Sequence, residues 1–204
     1  MSAASDFLGD CPEPYKAAVS VSRAPQRLLE FCTLYDRLRA GRTVPHRDDL
    51  DLRSLSAFLT DLTLMEMENP ETVTYRLMGS DVAERMGADL TGLNFLSYLP
   101  ESDRCGTAQA MELVTSQPFG LFTVYENHYA RGVLSLNESI MLPIATGSGC
   151  HVTQILGLHL SQTPVAYDRE RSETLIALTT MSAIPVDLGA GAPSGQELDA
   201  LGAR

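Results

Sequence analysis

Residues 120–160 read G-L-F-T-V-Y-E-N-H-Y-A-R-G-V-L-S-L-N-E-S-I-M-L-P-I-A-T-G-S-G-C-H-V-T-Q-I-L-G-L-H-L. Three runs rich in aliphatic and aromatic residues, about Gly120–Ala130, Val133–Leu142 and Val152–Leu160, are separated by turn chemistry. Arg131-Gly132 suits a tight connection and Gly147-Ser148-Gly149 a looser one. Leu134, Leu136, Ile140 and Leu142 fall at even spacing and so share one strand face, as do Val152, Leu156, Leu158 and Leu160. Three strands joined this closely form an antiparallel meander.

Upstream, Phe58–Glu66 carries alternating Leu62 and Leu64, Asn69-Pro70 signals a turn, and Val73, Tyr75 and Leu77 alternate with Thr74 and Arg76. These make a hairpin. Between hairpin and meander the signals are helical. Asp81 and Glu84 stand at capping-box spacing, Gly87 ends that short helix, and a longer helix runs from Ser102 or Asp103 to Thr115 before Pro118. The spacing predicts a further helix from about Asp168 to Ala183. The expected fold is α+β: a five-stranded antiparallel sheet with helices on one face.

An amphipathic helix precedes this core. Leu28, Phe31, Cys32, Tyr35 and Leu38 recur at helical spacing from Pro25, which suits a first turn, to Arg39, with Gly41 as a stop. Its apolar stripe must bury against the body or against another chain. Leu28, Phe31, Tyr35, Arg37 and Arg39 are therefore candidate interface residues. The domain reading is a flexible leader over 1–22, a helix and linker over 23–53, the core over 54–186 and a disordered tail over 187–204.

The chain has 204 residues and a formal net charge of -11. Such an acidic chain repels nucleic acid. The charge is uneven: residues 23–53 hold seven arginines against five acids, and the remainder eight bases against 21 acids. That segment is either a solvated helix surface or a docking site for an acidic partner. No apolar run reaches membrane-spanning length and no secretory leader is evident, so a cytoplasmic protein is expected. Cys11, Cys32, Cys105 and Cys150 are far apart, which fits reduced thiols and offers no local metal site.

The run L-Y-D-R-L-R-A-G-R-T-V-P-H-R-D-D-L-D over residues 34–51, with Tyr75-Arg76-Leu77-Met78-Gly79-Ser80 and Met86-Gly87-Ala88-Asp89-Leu90-Thr91-Gly92, resembles proteobacterial single-PAS proteins. The resemblance covers about residues 25–160. It departs at one place: a Trp is expected near Arg37, and this chain has none. The resemblance implies a sensory or regulatory module in bacterial signal transduction that brings no catalytic residues. It implies a signalling partner such as a histidine kinase or response regulator, while the apolar stripe of helix 25–39 points to a homodimer or a partner interface.

No phosphate loop, dinucleotide fingerprint, zinc-protease motif or nucleophile elbow occurs, so neither catalytic nor metal residues are assigned. His128, His151 and His159 are either haem-ligand candidates or hydrogen-bonded strand residues. Cys105 lacks the neighbours of a flavin-adduct cysteine, and no cofactor is expected. The apolar phase of the strands proposes a ligand pocket lined by Tyr75, Leu77, Leu136, Ile140, Leu156 and Leu158. Glu138 is the one ionisable group in that phase. It either points inward, toward a ligand or Arg76 or Arg85, or is turned to water by a bulge. The alternative to a sensor is a small-molecule-processing enzyme whose acid–base pair would be Glu138 with a strand histidine such as His128.

Overall fold

The computed structural model describes residues 8–130, 132–147, 151–162 and 175–200. The helices in chain order are α1 (Lys16–Val21), α2 (Pro25–Arg39), α3 (Leu52–Leu55), α4 (Ser80–Met86), α5 (Glu101–Ser116) and α6 (Gly195–Ala200). The strands are β1 (Leu62–Asn69), β2 (Thr72–Met78), β3 (Gly120–Tyr129), β4 (Leu134–Thr146), β5 (His151–Ser161) and β6 (Leu175–Val186). They form one antiparallel sheet in the order β2-β1-β5-β4-β3-β6.

The hairpin, the meander and the helices between them stand as expected; the sheet has one strand more. Residues 175–183, expected to be helical, belong to β6, which pairs with β3 along its whole length. The rest of that expected helix lies outside the described residues. Leu175, Ile176 and Leu178 imitate helical spacing. The segment is also rich in β-branched Thr and Ile, and the open edge of β3 supplies a ladder that overrides local propensity. In the crossover, α4 begins at Ser80 with no side-chain cap on Gly79, so the Asp81–Glu84 capping box does not form, whereas Gly87 (φ 74°) closes the helix as expected.

Each face of the sheet has its own helical layer. On one face α4, a single turn at Phe95–Tyr98 and α5 pack over Met65, Tyr75, Leu121, Tyr125, Met141 and Ile155. On the other, α1, α2 and α3 cover Leu62, Leu64, Phe122, Ile140, Leu142, Ile144, Leu156 and Leu158. Helices therefore lie on both faces, and the segment 8–22 is no loose leader: Cys11, Tyr15, Ala18 and Val19 are buried. Nor is 187–200 a disordered tail. Leu188 and Leu198 are buried, and Ser194 and Glu197 build a capping box at the start of α6.

Helix α2 sits where its stripe predicts. Leu28, Phe31, Leu34 and Tyr35 face the sheet, and the Tyr35 hydroxyl donates to the Pro143 carbonyl of β4 at 2.6 Å. Leu28, Phe31 and Tyr35 are thus core residues of this chain. Arg37 is exposed, and Arg39 donates to the Leu188 carbonyl at 2.9 Å.

Candidate functional site

Glu138 does point inward, but toward the N-terminal helices. The residue is 1% exposed. It accepts from the Ser22 hydroxyl (2.5 Å), the Arg23 and Ala24 amides (3.0 and 3.3 Å) and the Gln162 amide nitrogen (2.7 Å). Ala24, the residue before α2, has no capping side chain of its own. A strand carboxylate therefore holds the backbone of Arg23 and Ala24 at the entry to α2. Arg76 is bound instead to Glu66 and Glu68, and Arg85 to Asp61.

The pocket lies on the opposite face. A cavity of about 50 Å³ sits between the sheet, α4 and α5. Its walls are apolar and rich in thioether: Met65, Met86, Met111 and Met141, with Phe95 and Leu178. Its floor is a polar row running across the strands. Thr123, Ser139 and His159 lie directly opposite one another on β3, β4 and β5, and Thr63 of β1 stands opposite Gly157. Among the described residues no charged side chain lines the cavity.

These floor groups are tied together. The Thr123 and Ser139 hydroxyls share a 2.8 Å hydrogen bond. His159 Nε2 meets Thr63 Oγ1 at 2.8 Å, and Nδ1 meets the Tyr125 hydroxyl at 3.1 Å. Gly157 makes this possible, since a Cβ there would lie 2.6 Å from Thr63 Oγ1 and 2.8 Å from His159 Nε2. Burial, and secondly the nearby Arg85 guanidinium, push the His159 imidazole down from 6.5 to about 3. The ring is therefore neutral at physiological pH, with one nitrogen a donor and the other an acceptor. Burial likewise drives the Tyr75 and Tyr125 phenols well above their ordinary range.

Polar groups lead outward from this floor. Arg85 donates to the His159 carbonyl at 2.9 Å and pairs with Asp61 at 3.5 Å. Asp61 pairs in turn with Arg27 of α2 at 3.1 Å, and Arg27 stacks 4.8 Å over the Phe58 ring. The chain Arg27–Asp61–Arg85–His159 joins one helical layer to the floor of the other. Beside it, Asn127 and Asn137 are buried with their donors engaged and their acceptor oxygens without a partner among the described residues. A larger groove of about 530 Å³ opens at the surface beside Cys105. Its Arg104 guanidinium is occupied by the Leu99 and Ser97 carbonyls.

Of the seven expected pocket residues, Tyr75 lines this cavity, while Leu77 and Leu156 border a smaller space of about 30 Å³ on the other face, beside Leu50 and Leu55. Ile140, Leu156 and Leu158 pack under the N-terminal helices, and Leu136 is half-buried on the same face as Glu138. Leu77 is separated from Tyr75 by a bulge: Leu64 pairs with Leu77 but the next residue, Met65, pairs with Tyr75. Tyr75 therefore joins one core and Leu77 the other. The proposed acid–base pair is not assembled. Glu138 lies opposite Val124, four residues from His128, whose Nε2 is 3.6 Å from Glu126. The His151 side chain lies outside the described residues.

An open antiparallel sheet in this strand order, with its cavity under the crossover helices, defines a PAS-type sensory fold. The chain belongs to the PAS domain family, which it matches over residues 23–160. No curated protein matches it. Among solved structures it is similar to a light-oxygen-voltage domain studied with a flavin analogue (14% identity, TM-score 0.43, covering 55% of this chain and 84% of that one). It is also similar to the Rhodobacter sphaeroides LOV protein (16%, 0.42, 57% and 71%). A third is Drosophila melanogaster Cycle PAS-B with bound ethylene glycol (12%, 0.39, 49% and 97%). At these identities the likeness concerns the fold. No described helix is long and apolar enough to cross a membrane.

Proposed function

We propose that this chain is a non-enzymatic sensory module of bacterial signal transduction that binds a small uncharged molecule over His159 and answers through protein–protein contact. The observation that carries this reading is the cavity: thioether and aromatic walls, a neutral hydroxyl–imidazole floor and no ionised lining group. A concave, mostly apolar space with a few convergent polar groups is the usual character of a ligand site. Four methionines let the walls yield to a ligand larger than the empty space. The Arg85–Asp61–Arg27 chain gives occupancy a route to α2, and from there to a signalling protein such as a histidine kinase or response regulator. The expected cytoplasmic setting belongs to this reading, and the free thiols of Cys11, Cys32 and Cys105 support it.

The test uses phenol, benzoate and benzylamine, three ring probes of similar size and different charge. Phenol is expected to raise the melting temperature and shift the ¹⁵N resonances of His159, with both effects abolished in Met111→Trp, which fills the cavity. Stabilisation by the ions equal to that by phenol, or a phenol effect that survives Met111→Trp, would overturn the reading.

A further inference from the structure

We propose, on the reading of the cavity as a ligand site, that its occupant presents a neutral acceptor oxygen to the Thr123 and Ser139 hydroxyls, as a small apolar ketone, ester or lactone would.

The polar lining of the cavity brings protons and, beyond hydroxyl and imidazole lone pairs, nothing to accept them. Its hydroxyls come from Tyr75, Thr107, Thr123, Tyr125, Ser139 and Thr180, its imidazole from His159, and among the described residues no carboxylate or amide side chain joins them. A hydroxyl donates one proton and accepts two. Thr123 and Ser139 share a single bond of 2.8 Å, so whichever donates, the proton of the other is unspent. Neither hydroxyl meets a second acceptor among the described residues. Both residues are buried, and the carbonyls around them belong to the ladders: β3 lies between β4 and β6, and β4 between β5 and β3. Elsewhere in the chain such protons do reach a backbone carbonyl. Ser20 donates to Ala17, Ser56 to Arg53 and Ser97 to Asn94, each at 2.7 Å.

The count is the same around His159. Its neutral ring carries one proton, and Tyr125 and Thr63 bring one each. The two bonds to the ring nitrogens spend two of these three. With the ring proton on Nδ1, the Tyr125 hydroxyl keeps its own, and Tyr125 lines the cavity; with it on Nε2, Thr63 does. A buried donor without a partner is costlier than a spare lone pair. An occupant that accepts without donating therefore suits this floor better than one with a proton of its own to place. The thioether and aromatic walls call for an apolar body, and among the described residues no charged group is there to pair with an ion.

Three uncharged probes of equal heavy-atom count test this: acetophenone, which accepts; indole, which donates; and cumene, which does neither. Each is titrated into the full chain and followed by the ¹⁵N resonances of His159 and by melting temperature. Acetophenone is expected to bind about tenfold tighter than cumene, a gain of about 1.4 kcal/mol, and tighter than indole. Its carbonyl stretching band should fall in frequency on binding, because a hydroxyl proton on the oxygen weakens the double bond. Thr123→Val combined with Ser139→Ala removes both hydroxyls with little change of shape. In that variant acetophenone and cumene should bind nearly alike, and the band should move back toward its position in hexane. Circular dichroism checks that the variant is folded; should it not be, the probe ratios and the carbonyl band of the wild type decide the matter without it. Cumene or indole binding as tightly as acetophenone, a band unmoved on binding, or a ratio unchanged in the folded variant would each overturn the proposal and leave the cavity a ligand site. If no probe binds, or binding persists in Met111→Trp, the ligand-site reading itself fails and this inference with it.

Discussion

His159 carries the sharpest consequence at the scale of single residues. Its ring is held neutral by burial, with a folded value of about 3 against 6.5 in the ordinary state. The unfolded chain takes up a proton as pH falls through 6.5; the folded chain does not until about 3. The stability tied to the neutral ring is therefore complete above pH 6.5 and is lost progressively between 6.5 and about 3. At pH 5 the loss is about 2 kcal/mol, near the limit set by one proton per molecule. His159→Gln lacks this linkage. Urea unfolding of both proteins at pH 7 and pH 5 is expected to show the wild type losing about 2 kcal/mol more than the variant. Equal losses would mean that the imidazole is not held neutral.

Between elements, Glu138 is the tie that joins β4 to the start of α2. Inward-facing carboxylates are costly unless satisfied. This one accepts from four donors, two of them the backbone amides of Arg23 and Ala24 at the entry to α2. Glu138→Leu is therefore expected to destabilise by about 2–4 kcal/mol, because it strands those donors. Glu138→Gln keeps one acceptor oxygen and should cost less. Thermal unfolding of both variants measures the difference, and a neutral or stabilised Leu variant would show that the carboxylate is expendable. The strand period did reveal that Glu138 shares a phase with Ile140 and Leu142, and it does. Period alone cannot tell which helical layer covers that phase. The pocket residues misassigned from sequence fail for this reason. The more apolar phase suggested a cavity lining, yet Ile140 and Leu158 are fully buried under the N-terminal helices, and only a small space of about 30 Å³ remains there beside Leu77 and Leu156. The opposite phase, with Thr123, Tyr125, Ser139 and His159, lines the cavity under α4 and α5. Leu77 was misplaced by one extra residue in β2, which alternation does not record. Strand β6 was missed because its ladder partner lies about 50 residues away, a long-range pairing that a local propensity reading cannot see.

For the whole molecule, the N-terminal layer changes meaning. Read from sequence, residues 1–22 are a flexible leader and 23–53 a helix and linker outside the core of 54–186. The packing argues otherwise. Tyr15, Val19, Leu28, Phe31, Leu34 and Tyr35 are all buried in one cluster with Ile140, Leu142, Leu156 and Leu158. Each large side chain contributes about 1.5–3 kcal/mol on burial. A handful of them equals the roughly 5–15 kcal/mol by which a domain is stable at all. Removing residues 1–40 also strips three of the four donors from Glu138, leaving Gln162, and the Arg27 partner from Asp61. The family match beginning at residue 23 agrees that α2 belongs to the domain. A chain of residues 41–204 is expected to lose cooperative unfolding and to bind a hydrophobic dye. Adding the peptide of residues 8–40 should restore a cooperative transition, because the exposed sheet face and the Glu138 carboxylate await that partner. Restoration should be weaker with Glu138→Leu in the larger fragment, which separates recognition of the helix start from simple apolar contact. A truncated chain that melts as sharply as the full one would place the folding unit in the sheet and crossover helices alone, with the N-terminal layer as an accessory.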